Sequence, residues 1–184
     1  MDRAMEWTQL LESAIKKRPC MDRPLVCDGL PDSSRVIIIG ENPATEMEKD
    51  WWTYWNLETG FDRPAFMRDY TEQRRRKNKR PLSNTRLRLE WFREYGVACV
   101  ETNAFRNQRL GGAGKGVGNY AVLDLLIRNM PQLVAVVAHG KVAQEFAAGY
   151  TFPSNMREPF KLRHFRMESR DEIKRICEKI QAMR

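Results

Sequence analysis

The chain has few of the residues that usually hold metal ions. It contains four cysteines and two histidines in 184 residues, and no two cysteines form a Cys-x-x-Cys pair, so the usual zinc patterns are excluded. Cys99 lies in an apolar strand segment and Cys177 on the apolar face of a helix, so we interpret both as core thiols. We expect a protein of the reducing cytoplasm, nucleoid-associated if the source is bacterial, with no bound metal.

Long apolar runs are also missing. The N-terminal stretch "MDRAMEWTQLLESAIKK" carries acids and lacks a long apolar centre, which predicts neither a signal peptide nor a membrane span. No internal repeat or low-complexity segment is visible. Because 42% of the residues are hydrophobic and 30% are charged, we expect a folded globular chain, with one α/β domain over residues 1–184 and its core at about 35–180.

The net charge of +8 favours polyanion partners or acidic surfaces without deciding between them. Six cations fall in the seven residues "RRRKNKR", Arg74–Arg80. One interpretation is a solvated helix end, and the other is neutralisation of nucleic-acid phosphates. Further arginines nearby favour the second interpretation, in which Arg74, Arg75 and Arg76 contact phosphate.

Hydrophobic periodicity and capping signals predict strands that alternate with helices. This order is typical of a mostly parallel sheet covered by helices on both faces, so the predicted fold is a three-layer α/β/α sandwich with a four-stranded central sheet. The predicted helices cover about 3–17, 63–77, 83–95, 120–130, 141–148 and a last segment capped by "SRDE" at Ser169–Glu172, and the predicted strands cover 35–40, 97–103, 132–140 and about 161–165.

Ligands bind beyond the carboxyl ends of the strands in such sheets. The polar groups at those positions are Glu41, Asn42, Asn103, His139 and His164. A single asparagine after a strand is more often a turn cap. Two asparagines at neighbouring strand ends favour a shared crevice, where a carboxamide matches the edge of a pyrimidine. Glu41 is a candidate base if burial raises its pKa.

The segment "GENPATEMEKDWWTYW" places several large rings directly after the first strand. They follow neither strict alternation nor one helical stripe. Core packing accounts for some of them, and one ring near the strand end is a candidate for stacking on a planar base. The two interpretations are compatible. Trp51 and Trp52 are the candidates for the stacking ring.

The glycine-rich stretch "GGAGKGVGN", residues 111–119, has no Walker-type Gly-x4-Gly-Lys-Ser/Thr register. Its Gly116-x-Gly118-x-x-Ala121 spacing matches a dinucleotide pattern weakly and begins about a dozen residues after the strand. The alternatives are a flexible loop without a ligand and a loop that wraps a backbone phosphate, with Lys115 as the contact.

Four segments together resemble the uracil-DNA glycosylase superfamily. "VIIIGENPAT" is similar to its first motif, a strand followed by Gly-x-Asn-Pro-Gly in the mismatch-specific and single-strand-selective branches. "CVETNAFR" resembles its second strand, which ends in a base-reading asparagine. "AVVAHGKVAQEF" resembles its third strand and following helix, and "KLRHFR" takes the place of its last motif.

The resemblance implies a role for each matching residue. Asn42 would position the attacking water, and backbone N–H groups near Glu41 and Asn42 would help to hold the pyrimidine carbonyl. Asn103 would pair with the base edge, and His164 would stabilise the negative charge of the leaving base. The remaining candidates for contact with the base are Gly40, Pro43, His139 and one of Trp51 and Trp52.

The resemblance also has departures. Ala44 stands where the family has glycine, and Phe165 and Arg166 stand where it has proline and serine after the histidine. No iron–sulfur cysteine set is present, which excludes the cluster-bearing branches. The resemblance implies a monomeric, cofactor-independent glycosylase that removes uracil or another deaminated base from single-stranded or duplex DNA. The alternatives, which the altered last motif favours, are a non-catalytic nucleic-acid or nucleotide binder and a hydrolase of another N-glycosidic or small nucleotide substrate.

Overall fold

A computed structural model describes residues 3–15, 20–43, 45–106, 118–154 and 156–183. In these ranges the protein is a mixed α/β structure with six helices, one five-stranded sheet and a short separate hairpin. The helices are α1 (Arg3–Ile15), α2 (Arg63–Arg76), α3 (Asn84–Glu94), α4 (Tyr120–Asn129), α5 (Lys141–Ala148) and α6 (Arg170–Gln181).

The strands of the main sheet are mostly parallel, as predicted, but they number five rather than four. In chain order the strands are β1 (Leu25–Val26), β2 (Val36–Gly40), β3 (Trp55–Asn56), β4 (Gly60–Phe61), β5 (Cys99–Asn103), β6 (Ala135–His139) and β7 (Phe160–Leu162). The main sheet has the order β1-β5-β2-β6-β7, and β3 pairs with β4 alone.

The additional strand β1 lies in a segment that the sequence predicted to be a loop. It pairs antiparallel with the edge of β5, while the other pairings of the sheet are parallel. Two apolar residues after a proline are too few to show any periodicity, so only the partner strand reveals this one.

Apolar cores lie on the two opposite faces of the sheet. Along β2, Ile37 and Ile39 contact one core, and Val36 and Ile38 contact the other. Because successive side chains of a strand point to opposite faces, the run "VIII" is buried on both sides. Helices α1, α2, α4 and α5 contribute to the first core, and α3 and α6 to the second. This arrangement is compatible with the predicted α/β/α sandwich.

Several helix ends form through local side-chain chemistry. Ser83 accepts a hydrogen bond from the backbone N–H of Arg86 and thereby caps α3, and Ser169 caps α6 in the same way through Glu172. Gly96 follows α3 with a φ of 74°, the left-handed conformation that terminates helices. These signals place the two helices of the second core.

All four cysteines are buried free thiols. Burial raises the pKa of Cys99 and of Cys177 to about 12. The prediction of core thiols at these two positions is confirmed. None of the helices in the described ranges is long and apolar enough to cross a membrane.

A buried carboxylate connects β5 to α3. Glu101 is bonded by Arg86, and Arg93 lies 3.0 Å from its second oxygen. Burial raises the pKa of Glu101, but Arg86, Arg93 and Arg63 outweigh burial and lower it below the usual value. Because a buried charge is costly when it loses its partner, this carboxylate holds two arginines in the interior.

We predict that Glu101→Gln lowers the free energy of unfolding by about 3–5 kcal/mol, because it leaves buried guanidinium groups without their counter-charge. Urea denaturation at pH 7 measures this. The loss should shrink as the pH falls below the usual range of a glutamate, because the unfolded wild-type chain then takes up a proton that native Glu101, with its lowered pKa, does not.

The matched control is Glu94→Gln. Glu94 pairs with Arg170 on the surface, with both side chains about half exposed, so this change should cost less than about 1 kcal/mol. Equal losses in the two variants would contradict a special role for the buried carboxylate.

Candidate active site

Three residues form a row across the carboxyl ends of the central strands. Gly40 of β2 lies in register with Asn103 of β5, and the pairing of β2 with β6 brings His139 to its other side. A Cβ atom on Gly40 would lie 2.9 Å from Asn103 Oδ1 and 3.0 Å from His139 Nε2. The missing side chain therefore lets both polar groups approach across the middle strand.

A cavity of about 330 Å³ opens over this row. Glu41, Asn42 and Pro43 line it from the segment after β2, and His164 lines it from the segment after β7. The structure thus brings together the strand-end candidates that the sequence singled out: Gly40, Glu41, Asn42, Pro43, Asn103, His139 and His164.

Two of the three carboxamides that line the cavity, those of Asn42 and Asn103, make no side-chain hydrogen bond within the described ranges. Asn42 and Asn103 are both half-buried. The backbone next to them is fixed, because Ala104 N donates to Gly40 O and Phe105 N donates to Glu41 O at 2.8 and 3.0 Å. Rigid backbone with unengaged amides is the arrangement expected of a ligand-binding site.

His139 is held as a neutral imidazole. Its Nδ1 accepts a hydrogen bond from Phe165 N at 3.4 Å, so its proton belongs on Nε2, the atom beside Gly40. Its ring stacks on Phe165 with centroids 4.1 Å apart. Burial, with a smaller contribution from His164, lowers the pKa of His139 to about 3. The site therefore contains a fixed N–H donor that carries no charge.

His164 lies nearer the rim. It is half-buried, and its Nδ1 accepts from Arg166 N at 3.3 Å, which also leaves Nε2 as the protonated nitrogen. Burial and then Arg166 lower its pKa, and Glu41 acts in the opposite direction. The two imidazoles meet edge to face with centroids 5.3 Å apart.

The predicted stacking tryptophans do not line this cavity. Trp51 is 3% exposed, donates its indole N–H to Leu25 O at 2.7 Å, and stacks between Trp55 and Phe61. Trp52 meets Trp51 edge to face and is half-buried. Apolar area drives Trp51 into the core, so the core-packing interpretation describes it, and neither tryptophan is among the residues that line this cavity.

The aromatic ring that does line the cavity is Tyr70 of α2. Its hydroxyl bonds Ser83 Oγ at 3.2 Å. Burial raises its pKa, but hydrogen bonds with Ser83 and Thr45 and the charges of Arg86 and Arg74 outweigh burial and lower it. Sequence reasoning missed this residue because a tyrosine in mid-helix, four positions after Phe66, looks like ordinary core.

The three arginines of the basic run have different surroundings. Arg74 is half-buried, donating to Arg80 O at 2.7 Å and to Thr45 Oγ1 at 3.3 Å. Arg75 is exposed, and Arg76 pairs on the surface with Glu72 and Glu48. Only Arg74 is thus tied into the wall beside the cavity.

Four charged residues of the cavity wall were not predicted as site residues: Arg23, Arg86, Glu101 and Arg166. Arg23 lies in the proline-bearing segment before β1, and Arg86 had been noted only as nearby charge. Lys115, Ala44 and most of the glycine-rich loop, residues 107–117, lie outside the described residues. In the described ranges no group of three or more His, Cys, Asp and Glu side chains is arranged to hold a metal ion.

Comparisons with known proteins do not assign this chain to a family. The chain matches no protein-family model, and no curated protein matches it significantly.

We predict that the His139 ring stays neutral, with its proton on Nε2, from pH 8 down to pH 5. Nitrogen-15 NMR of the imidazole groups tests this, and His164→Gln assigns the signals because the chain has only two histidines. An imidazolium signal from His139 above pH 5 would contradict the neutral donor.

The same burial predicts a loss of stability in acid. The unfolded chain takes up a proton near pH 6.5 and the native His139 does not, so stability should fall below that pH by up to about 1.4 kcal/mol per pH unit. His139→Gln should remove this part of the slope in urea titrations at pH 7, 6 and 5.

Proposed function

We propose that the protein is a DNA N-glycosylase with a uracil-DNA glycosylase-like fold, which hydrolyses the N-glycosidic bond of uracil or another deaminated base. The observation that carries this proposal is the row of Asn103, Gly40 and His139 beneath a cavity that Asn42 also lines. It gives one planar ligand an amide on one side and an N–H donor on the other.

Asn103 supplies the base-reading edge. Its Oδ1 accepts from the ring N–H of a pyrimidine, and its Nδ2 donates to the adjacent carbonyl oxygen. A carboxamide without a partner in the described protein needs no internal hydrogen bond broken for this. Gly40 leaves room for the ring to reach it. The enzyme would act on single strands, or on a duplex after the nucleotide leaves the stack.

Bond cleavage separates charge between the sugar and the departing base. A neutral Nε2–H group donates a hydrogen bond to the base oxygen and thereby stabilises the negative charge that develops there. The imidazole does not have to transfer its proton to do this. His139 meets this need better than His164 because it is the buried ring of the row, with its Nε2 fixed beside Gly40. His164 remains at the rim as the second donor.

Asn42 orients the attacking water in this proposal. It follows the end of β2 and lines the same cavity, and its amide oxygen would accept a hydrogen bond from a water molecule next to the sugar. Glu41 lies beside it and is the candidate general base. No metal or organic cofactor is required for this mechanism.

A second candidate is a non-catalytic nucleic-acid or nucleotide binding protein. Phe165 favours it, because this residue replaces the proline of the family motif and lies in the core, stacked 4.1 Å from His139 and 5.7 Å from Phe92. In the family this segment would contact the DNA strand, whereas in this protein Phe165 packs in the core.

We predict alkali-sensitive strand breaks after incubation with single-stranded and duplex oligonucleotides that contain uracil, hypoxanthine or xanthine. Asn42→Ala and Asn103→Ala should each lower the single-turnover rate by about 10²-fold or more, because each removes a contact made at the transition state. Asn129→Ala is the matched control and should keep the rate, since the Asn129 side chain donates to Leu125 O within α4 and does not line the cavity.

Oligonucleotide binding without breaks by the wild-type protein would favour the binding protein. Breaks that persist unchanged in both cavity variants would contradict the assigned site.

We also predict that Arg75→Gln with Arg76→Gln lowers the dependence of oligonucleotide affinity on salt. Each lost phosphate contact should reduce the slope of log K against log salt by about 0.7–0.9. Fluorescence anisotropy at several salt concentrations measures the slope, with Arg128→Gln as control because Arg128 pairs with Asp124 on α4. An unchanged slope would identify the run as a plain solvated surface.

A further inference from the structure

The cavity wall contains a buried cation that no carboxylate of the described protein neutralises. Arg23 is 8% exposed, and within the described ranges no Asp or Glu oxygen lies within ion-pair distance of its guanidinium. Its Nη2 donates to the backbone oxygen of Thr45, and its Nε has no hydrogen-bond partner. Buried charges are normally paired, so this one requires an explanation.

The neighbouring charges do not supply the missing counter-ion. Glu101 is the acid of the cavity wall whose charge acts on Arg23, and it is shared by Arg86 and Arg93. Burial and then the charge of Arg86 lower the pKa of Arg23 to about 10. The guanidinium therefore remains protonated at neutral pH beside a second arginine, which leaves an excess of positive charge in the wall.

Hydrogen-bond donors surround the same part of the cavity. The hydroxyls of Tyr70 and Ser83 line it, and so does the first turn of α3 through Asn84 and Thr85. Helix α3 has 11 residues and begins at this wall, so its free N–H groups and its dipole add positive potential there. Guanidinium groups, hydroxyls and a helix N-terminus are together the groups that bind phosphate.

We propose that Arg23, Arg86, Tyr70, Ser83 and the first turn of α3 form a phosphate-binding subsite at the end of the cavity away from Asn103 and His139. The ligand would present a phosphate to this end and a planar base to the row of Gly40. The phosphate belongs either to a free nucleotide or to a nucleic-acid backbone. This subsite is distinct from the exposed basic run and does not require that the protein cleave anything.

The register of the sheet is consistent with a cavity that has a base-binding end and a phosphate-binding end. Glu101 lies two residues before Asn103 on β5, so both side chains point to the same face, about 7 Å apart along the strand. Arg86 is bonded to Glu101, which places the Arg86 guanidinium deeper along the face than the amide row.

Thermal unfolding with inorganic phosphate tests the subsite. At constant ionic strength, phosphate in place of chloride should raise the unfolding midpoint of the wild-type protein in a saturable way. Arg23→Gln should abolish the rise, and Arg23→Lys should keep part of it. Tyr70→Phe and Ser83→Ala should each weaken phosphate binding several-fold and carry the test if Arg23→Gln does not fold. Arg128→Gln is the matched control and should behave as wild type, because Arg128 pairs with Asp124 on the surface of α4.

Three ligands then identify the source of the phosphate. Deoxyuridine monophosphate should bind at least ten-fold more tightly than deoxyuridine, and this gain should vanish in Arg23→Gln or, if that variant does not fold, shrink in Tyr70→Phe. A thymidine trinucleotide that competes more strongly than the monophosphate identifies a backbone phosphate, and the reverse order identifies a free nucleotide.

Phosphate that stabilises no more than chloride, or that stabilises Arg23→Gln as much as wild type, overturns the proposal. Binding does not depend on excision, so loss of the glycosylase proposal alone leaves this one standing.

Discussion

The candidate site depends on the absence of a side chain at Gly40. Three parallel strands bring their carboxyl ends into register, and the middle one ends without a Cβ, so Asn103 and His139 both lie within about 3 Å of the position that a Cβ would occupy. Any larger residue would force these two groups apart. The glycine therefore turns three neighbouring strand ends into the floor of one cavity.

The ion pairs of Glu101 with Arg86 and Arg93 also determine the form of this cavity. Glu101 is the only acid on β5, and its burial is tolerable because Arg86 and Arg93 meet it from α3. This fixes α3 against the sheet and brings the first turn of α3 to the cavity wall. The arginines are structural partners of the carboxylate and at the same time sources of positive potential for a ligand. Fold and binding surface thus share one network.

Much of the fold follows from local patterns. The run "VIII" predicted β2, and the capping box at Ser169–Glu172 predicted the start of α6. The site was partly predictable because strand ends in a parallel sheet point to one edge, which singled out Asn42 and Asn103. The predicted function stays a proposal, because short motifs support a resemblance and a scaffold can keep its crevice while changing its chemistry.

Other features arise only from contacts between distant segments. Nothing in the local pattern distinguishes Trp51, which is drawn into the core, from Tyr70, which lines the cavity, because both are large rings near polar residues. The burial of Arg23 likewise depends on its contacts with residues far along the chain: Thr45, Phe66 and Tyr70. Periodicity and capping act over a few residues and fixed the order of helices and strands, whereas burial and pairing act across the packed structure and decided which side chains face the ligand.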